Sequence, residues 1–313
     1  MLPRALLFTP EYRDYVWGGQ RLRPGILTAE AWVVYENDCI ANGSLAGKTL
    51  AEVTAQFGEE ILGKTALEKR GPRFPLLIKL LDCNEWLSLQ VHPNDQQAAE
   101  LEGPGQNGKT EAWHFLEAGP EARIIAGLKD GTTAETMAQC IRGGTILEIA
   151  NMIPIQAGDT VFMRAGTIHA LGPGLMVYEV QETSDITYRV FDWNRPQTGR
   201  RVLHIDKSLA VADPTACGGP APAPRLRDGQ GEILCQSEYF TLELLNAQKQ
   251  TIHFDTAGES FHALTIIEGA AQFRSGDEQI PLGLYQTLLV PASTGGYRLE
   301  PQEAGFRGLK SSL

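Results

Sequence analysis

The sequence predicts a mainly β protein built on a repeated β unit, with a few short helices inserted in its first part. Gly, at 33 of 313 residues, and Pro, at 18, punctuate the chain often. The apolar runs between them are short, as strands joined by turns require. The helical patterns are short and amphipathic, which suits cover for one end of a barrel better than layers on a parallel sheet. A weak internal repeat completes the case. Ile155-Gln-Ala-Gly-Asp-Thr-Val-Phe-Met-Arg-Ala echoes Ile280-Pro-Leu-Gly-Leu-Tyr-Gln-Thr-Leu-Leu-Val-Pro-Ala, with Gly158 matching Gly283 as a turn glycine.

Period-two patterning and β-rich composition place strands at 31–35, 74–81, 85–91, 111–116, 123–127, 160–164, 175–181 and 187–191. Helical spacing appears at 50–57, 96–101, 133–142, 145–150 and 204–210. From Asp213 to Glu232 the chain turns rich in Pro, Gly and Ala and poor in large apolar residues, as an extended connection does. Beyond it strands are expected at 239–245, 261–268, 270–274 and 284–290. The domain reading is therefore a first, metal-binding domain over 1–230, ending in a linker at about 213–232, and a second β domain over 231–313. After the repeat, the second copy reads Ser293-Thr-Gly-Gly-Tyr-Arg-Leu299 where the first has Gly166 and His169, so the second domain is expected to be metal-free.

The formal net charge is −11, which argues against nucleic acid and an anionic membrane surface as partners. It does not forbid an anionic small substrate, because a few cations focused in a cleft decide that locally. The N-terminal apolar run is too short for a signal h-region, and no stretch approaches the ~20 apolar residues that span a bilayer. Five scattered cysteines without a C-x-x-C pair fit reduced thiols and a cytoplasmic location. Whether the chain is a monomer or a homodimer is not written in its composition.

Chemistry concentrates in three segments. In Leu87-Ser-Leu-Gln-Val-His-Pro-Asn-Asp95 the alternation of a strand sends Leu87, Leu89 and Val91 to one face and Ser88, Gln90 and His92 to the other. Gly108-Lys-Thr-Glu-Ala-Trp113 and Ala165-Gly-Thr-Ile-His-Ala-Leu171 supply Glu111 and His169. Each of these four has an ordinary structural explanation when taken alone. Together Gln90, His92, Glu111 and His169 offer a borderline-hard N/O set that suits zinc with room for a further oxygen; iron or manganese also accept such donors. His114 points to the face opposite Glu111 and His204 lies in a helical pattern, so neither is given a role.

Gly103-Pro-Gly-Gln-Asn-Gly-Lys-Thr110 satisfies both the G-x-x-x-x-G-K-[ST] and G-x-G-x-x-G patterns. A phosphate loop needs a strand before it and a helix after it, so that the helix N-terminus faces the phosphates. Here the order is reversed, and the nucleotide reading fails.

These residues resemble those of type I phosphomannose isomerases. The likeness runs through Tyr15-Val-Trp-Gly-Gly19, Ala41-Asn-Gly43, Gly47-Lys-Thr-Leu50, Phe74-Pro-Leu-Leu-Ile-Lys79, Leu87–Asp95, Gly108–Trp113, Ala165–Leu171 and Gln181–Arg195. It covers most of residues 10–200 and extends more loosely to the C-terminus, at the length of the short bacterial form. The chain departs from the family at Ala29-Glu-Ala-Trp32, where Gly-Glu-Ser-Trp is frequent, outside the ligand set. The resemblance implies two cupin-type, jelly-roll-like β-barrels and one zinc ion per chain on Gln90, His92, Glu111 and His169. It also implies interconversion of mannose 6-phosphate and fructose 6-phosphate through an enediol(ate).

Such a reaction needs a proton carrier near C1 and C2, a partner for the developing oxyanion, and an anchor for the phosphate. Lys109, Glu179 and Arg189 are the catalytic candidates. Ser88, Lys79 and Trp17 are candidate substrate contacts. A buried Glu179–Arg189 ion pair is the structural alternative for those two residues, since a cation in an apolar strand is costly unless paired. Two other classes compete. A cupin dioxygenase more often uses three histidines or a His/carboxylate facial set, and a non-catalytic sugar-sensing double barrel has no need of a metal set beside Lys and Arg.

Overall fold

The computed structural model describes residues 2–199 and 201–313. Strands β1 (Leu6–Leu7), β2 (Glu11–Arg13) and β3 (Glu30–Val34) precede helices α1 (Leu50–Phe57), α2 (Glu59–Leu62) and α3 (Lys64–Arg70). Next come β4 (Leu76–Cys83), β5 (Leu89–Val91), α4 (Asp95–Glu102), β6 (Glu111–Ala118), β7 (Arg123–Leu128), α5 (Ala134–Gly143), β8 (Ala150–Pro154) and β9 (Thr160–Met163). They lead to β10 (His169–Leu171), β11 (Leu175–Glu182), β12 (Tyr188–Phe191), α6 (Ile205–Val211) and β13 (Pro220–Ala221). The chain ends in β14 (Gln230–Gln236), β15 (Thr241–Ala247), β16 (Ile252–Asp255), β17 (His262–Ser275), β18 (Glu278–Leu282), β19 (Thr287–Val290) and β20 (Gly296–Ser312). The fold is mainly β.

Two compact units emerge. A central unit holds Tyr12–Ala31 and Leu80–Pro222, and a C-terminal unit holds the chain up to Glu11, Trp32–Lys79 and Ala223–Leu313. A linear division after residue 230 therefore misses how the early helices group. The amides of Lys64 and Thr65 donate to the carbonyls of Gly258 and Glu259, each at 3.0 Å. Phe74 packs on Phe261 with ring centroids 4.7 Å apart. Gly63, at φ 85°, permits this approach, since a Cβ there would lie 2.4 Å from the Glu259 carbonyl oxygen.

In the central unit a five-stranded sheet runs β12-β5-β10-β7-β8. A seven-stranded sheet runs β13-β9-β6-β11-β4-β3-β2, its last three strands continuing along the chain into the other unit. Both orders are open paths. An apolar cluster joins the sheets, with Ile124, Ala126 and Leu171 from the first meeting Trp113, Phe115, Val161 and Val177 from the second. The other face of the five-stranded sheet presents Leu89, Val91, Ile125, Ala170, Tyr188 and Val190 to Met137 and Ile141 of α5 and Val211 of α6. These helices cover a sheet face, not a barrel end as the sequence suggested. Their apolar stripe is satisfied by a face of alternating strand residues.

The C-terminal unit is an eight-stranded antiparallel sheet with the path β1-β19-β17-β20-β15-β14, β16 pairing with β20 and β18 with β17. Its core gathers Leu245, Leu264, Phe273, Leu288, Leu299 and Phe306. The last three residues of the expected connection, 230–232, open edge strand β14, and the two segments at 261–268 and 270–274 are one strand, β17. Segment 145–150 is not an α-helix; a 3-10 turn at Ile146–Glu148 leads into β8. Of the two repeat glycines, Gly158 takes the left-handed turn conformation at φ 91°, whereas in the second copy that conformation falls on Tyr285 at φ 63°.

Candidate metal centre

Strand pairing builds the site. In the five-stranded sheet, Arg189, Gln90 and His169 are cross-strand neighbours in one row, so their side chains leave the same face. His92 follows two residues after Gln90 on that face. In the seven-stranded sheet, Gln181, Glu111 and Met163 form a row, and Glu179 lies opposite Trp113. The five-stranded sheet thus contributes imidazoles and an amide, and its partner contributes a carboxylate.

Loops fix the register. Asn94 caps α4 in a reciprocal box with Gln97. Gly108 passes so close to Asn94 that a Cβ would lie 2.5 Å from the Asn94 carbonyl carbon. That contact lets the Lys109 amide donate to the Pro93 carbonyl at 2.9 Å and brings Lys109 beside His92. On the far side, the Gly166 amide donates to the His92 carbonyl at 2.8 Å. The segment Gly103–Thr110 has helix α4 before it and strand β6 after it, an order that gives no helix N-terminus for a phosphate.

One donor atom from each of His92, Glu111 and His169 lies within 4.8 Å of the others, and all three residues are buried. His92 Nδ1–H donates to the Ile186 carbonyl at 2.7 Å, and His169 Nδ1–H to the Thr167 carbonyl at 2.9 Å. Both rings are thereby held with Nε2 turned inward, the tautomer a metal ligand needs. Burial, with Lys109 adding to it, pushes the His169 pKa down to about 3, so the imidazole is neutral and its lone pair available. The Gln90 amide lies 3.3 Å from His169 Nε2, and a half-turn of that amide exchanges its nitrogen for its oxygen. These residues fit a divalent cation.

Lys109 sits within the same group and is buried. Its Nζ lies 2.8 Å from Glu111 Oε2, 3.2 Å from His92 Nε2 and 4.0 Å from Glu179 Oε1. The other Glu179 oxygen accepts the Trp113 indole N–H at 2.9 Å. Trp113 also sets its ring edge against His169, centroids 5.3 Å apart. Reading the sequence alone passed over Trp113 as a site residue, although period two from Glu111 puts it on the same face.

The alternative Glu179–Arg189 ion pair is not formed; Glu179 Oε1 lies 4.0 Å from Lys109 Nζ. The two residues belong to different sheets. Arg189 Nη1 instead donates to the Val202 carbonyl at 3.0 Å, and among the described residues its buried Nε has no hydrogen-bond partner. Burial first, then neighbouring Arg201, lower its pKa from the usual guanidinium value. Ser88 is buried just before β5. Trp17 belongs to the apolar cluster between the sheets, with Leu81, Leu87 and Trp113. Leu87 packs there too, away from Leu89 and Val91, because the strand begins only at Leu89. Lys79 lies in the C-terminal unit, its Nζ 5.2 Å from the centre of the Trp32 ring. His114 bonds Thr160 Oγ1 at 2.9 Å, and His204 Nδ1 accepts the Arg189 amide at 3.1 Å.

Comparison with known proteins identifies the family. The family model described as "Phosphomannose isomerase type I, catalytic domain" matches residues 6–114. The mannose-6-phosphate isomerase of Streptococcus mutans is 33% identical over 316 residues, covering 96% of each chain. Mannose-6-phosphate isomerase ManA of Bacillus subtilis is 30% identical, covering 96% of this chain and 97% of that one. The crystal structure of the Bacillus subtilis mannose 6-phosphate isomerase superposes with a TM-score of 0.87 at 30% identity, over 99% of this chain and 100% of the other. This chain belongs to the mannose-6-phosphate isomerase family, a family of isomerase enzymes.

Proposed function

We propose that this enzyme interconverts D-mannose 6-phosphate and D-fructose 6-phosphate, with one zinc ion per chain held by Gln90, His92, Glu111 and His169. The observation that carries the reading is Lys109: a buried ammonium wedged among His92, Glu111 and Glu179, at the edge of the His/Glu/His group. A bound divalent cation supplies Lewis-acid polarisation of the sugar oxygens at C1 and C2.

The chain's residues handle the protons. The C2 proton of the open-chain aldose leaves, O1 gains a proton, and the enediol then yields the ketose when C1 gains a proton and O2 loses one. Lys109 Nζ and the Glu179 carboxylate facing it form the pair assigned to that relay. The Trp113 indole N–H fixes the orientation of Glu179. Arg189 shares a row with Gln90 and His169, and its buried Nε is left to answer negative charge on the enediolate. Ser88, buried just before β5, is assigned to a hydroxyl or phosphate contact. The two units are read as a pair of cupin-type, jelly-roll-like domains, the central one carrying the metal, and five cysteines without a disulfide fit a cytoplasmic setting.

An assay coupling fructose 6-phosphate formation to a chromogenic reporter, run with metal analysis, tests the reading. Turnover of mannose 6-phosphate that vanishes on chelation and returns with zinc is expected. Absence of turnover in zinc-loaded, folded enzyme overturns it, as do Gln90→Ala, His92→Ala and His169→Ala variants that all keep full zinc and normal rates.

A further inference from the structure

His204, to which the sequence assigns no role, holds both backbone groups of Arg189. The His204 amide donates to the Arg189 carbonyl at 2.8 Å, and His204 Nδ1 accepts the Arg189 amide at 3.1 Å. Strand β12 ends the five-stranded sheet, so its outer side would otherwise carry unpaired groups. A strand residue sends its N–H and C=O to the same side, and those of Arg189 face His204. Arg189 and Gln90 therefore form the non-hydrogen-bonded kind of antiparallel pair, in which side chains come closest. The clasp thus bears on the row that carries Gln90 and His169. A third contact comes from the same segment, since Arg189 Nη1 donates to the Val202 carbonyl at 3.0 Å.

The residue next to Arg189 anchors the clasp a second time. Tyr188 O–H donates to Glu102 Oε1 at 2.7 Å, and Lys207 Nζ meets the same oxygen at 2.6 Å. Lys207 lies three residues after His204, so α4, β12 and the start of α6 are tied at one carboxylate. His204 is the N-cap of α6, yet its ring caps no amide of that helix and turns to Arg189. Nδ1 accepts a hydrogen bond only while the imidazole is neutral. Burial first, then Arg189 and Lys207, push its pKa below the ordinary histidine value, with Glu102 opposing them. Near pH 7 the ring is therefore neutral and the acceptor present.

We propose that His204 is a positioning residue, setting the edge of β12 so that the Arg189 guanidinium keeps its place beside Gln90 and His169. The proposal rests on reading Arg189 as the partner of charge on the enediolate. A contact that merely sealed a sheet edge would use backbone groups and tolerate any side chain at position 204. Here one of the two backbone bonds of Arg189 comes from a ring nitrogen, so the chemistry of residue 204 reaches the site.

The test is a double-mutant cycle on the zinc-loaded enzyme with mannose 6-phosphate. His204→Leu removes the acceptor, and His204→Asn offers an amide oxygen near the place of Nδ1. Arg189→Met alone is expected to lower kcat about 10²–10³-fold, as loss of a donor to a developing oxyanion does. His204→Leu is expected to lower kcat about 3–10-fold, the range of one neutral hydrogen bond, with zinc content and KM little changed. His204→Asn is expected to stay within about twofold of the parent, because the acceptor is restored. With Arg189→Met already present, His204→Leu is expected to cost less than about twofold more, since residues acting through one group are not additive. Losses that multiply, parental kcat in folded His204→Leu, or an Asn variant as slow as the Leu variant each overturn the proposal. If His204→Leu fails to fold, His204→Gln takes its place, its amide oxygen standing one bond beyond the Nδ1 position. Parental kcat in Arg189→Met overturns the enediolate reading of Arg189 and the proposal with it, whereas multiplying losses overturn the proposal alone.

Discussion

Lys109 and Glu111, two residues apart on one face of the chain entering β6, share a contact of 2.8 Å inside the protein. A carboxylate placed to face two imidazoles therefore also holds the ammonium assigned to the proton relay. On the proposed reading, metal binding and proton transfer are coupled through a single side chain. Removal of either residue is expected to have different consequences, and the difference is measurable.

Lys109→Met removes the ammonium but no metal donor. Zinc content is expected to stay near one per chain, while turnover falls by about 10²–10⁴-fold, the range of a lost general acid–base group. Exchange of the C2 hydrogen with solvent, followed by NMR in deuterated buffer, is expected to fall with it. Exchange at the parental rate removes Lys109 from the relay.

Trp113→Phe keeps the ring and deletes the indole N–H that Glu179 accepts. A lost hydrogen bond to a charged group is worth roughly 1.5–3 kcal/mol. A decrease in kcat of about 10–100-fold is expected, with zinc retained and KM little changed. A variant with parental kcat shows that Glu179 is oriented without the indole.

Much of the site was legible because strand alternation and a pre-proline residue are local properties. Gln90 and His92, and Lys109 with Glu111, follow from period two, and the Gly-rich decoy was exposed by the order of helix and strand around it. Pairing between distant strands was not legible. Burial demanded a partner for Arg189, but only register says that it neighbours Gln90 in one sheet while Glu179 lies in the other. Strand β20 escaped because Pro301 and Gly305 read as breakers, yet it stays hydrogen-bonded on both sides of them. Strand β14 escaped because it is an edge strand with little burial and no apolar alternation. Helix α1 matched residue for residue, Thr49 and Glu52 giving it a capping box that sequence displays openly.

That box gives a stability prediction remote from the chemistry. Thr49 Oγ1 accepts the Glu52 amide at 3.2 Å, and Glu52 Oε2 accepts the Thr49 amide at 2.8 Å. Thr49→Ala is expected to cost about 1 kcal/mol of unfolding free energy, read from urea midpoints at constant slope, with kcat unchanged. A shift in zinc content would show that α1 bears on the centre.

In the C-terminal unit, Tyr297 O–H and His262 Nδ1 are 2.7 Å apart, and the pair makes a further prediction, on acid stability. Burial first, and Lys310 second, push the His262 pKa down to about 3, with Asp255 pulling weakly the other way. The unfolded chain takes up this proton near pH 6.5, while the fold holds the ring neutral until far lower pH. The folded state therefore loses stability through this residue as pH falls from about 6.5 towards 3, and gains nothing from it above that window. His262→Gln abolishes that component while leaving groups elsewhere to titrate as before. Urea unfolding at pH 7 and pH 4.5 is expected to show a larger drop in the parent than in the variant. Equal drops would mean that the imidazole is protonated in the fold, and the neutral hydrogen bond to Tyr297 would then be the wrong description of this pair.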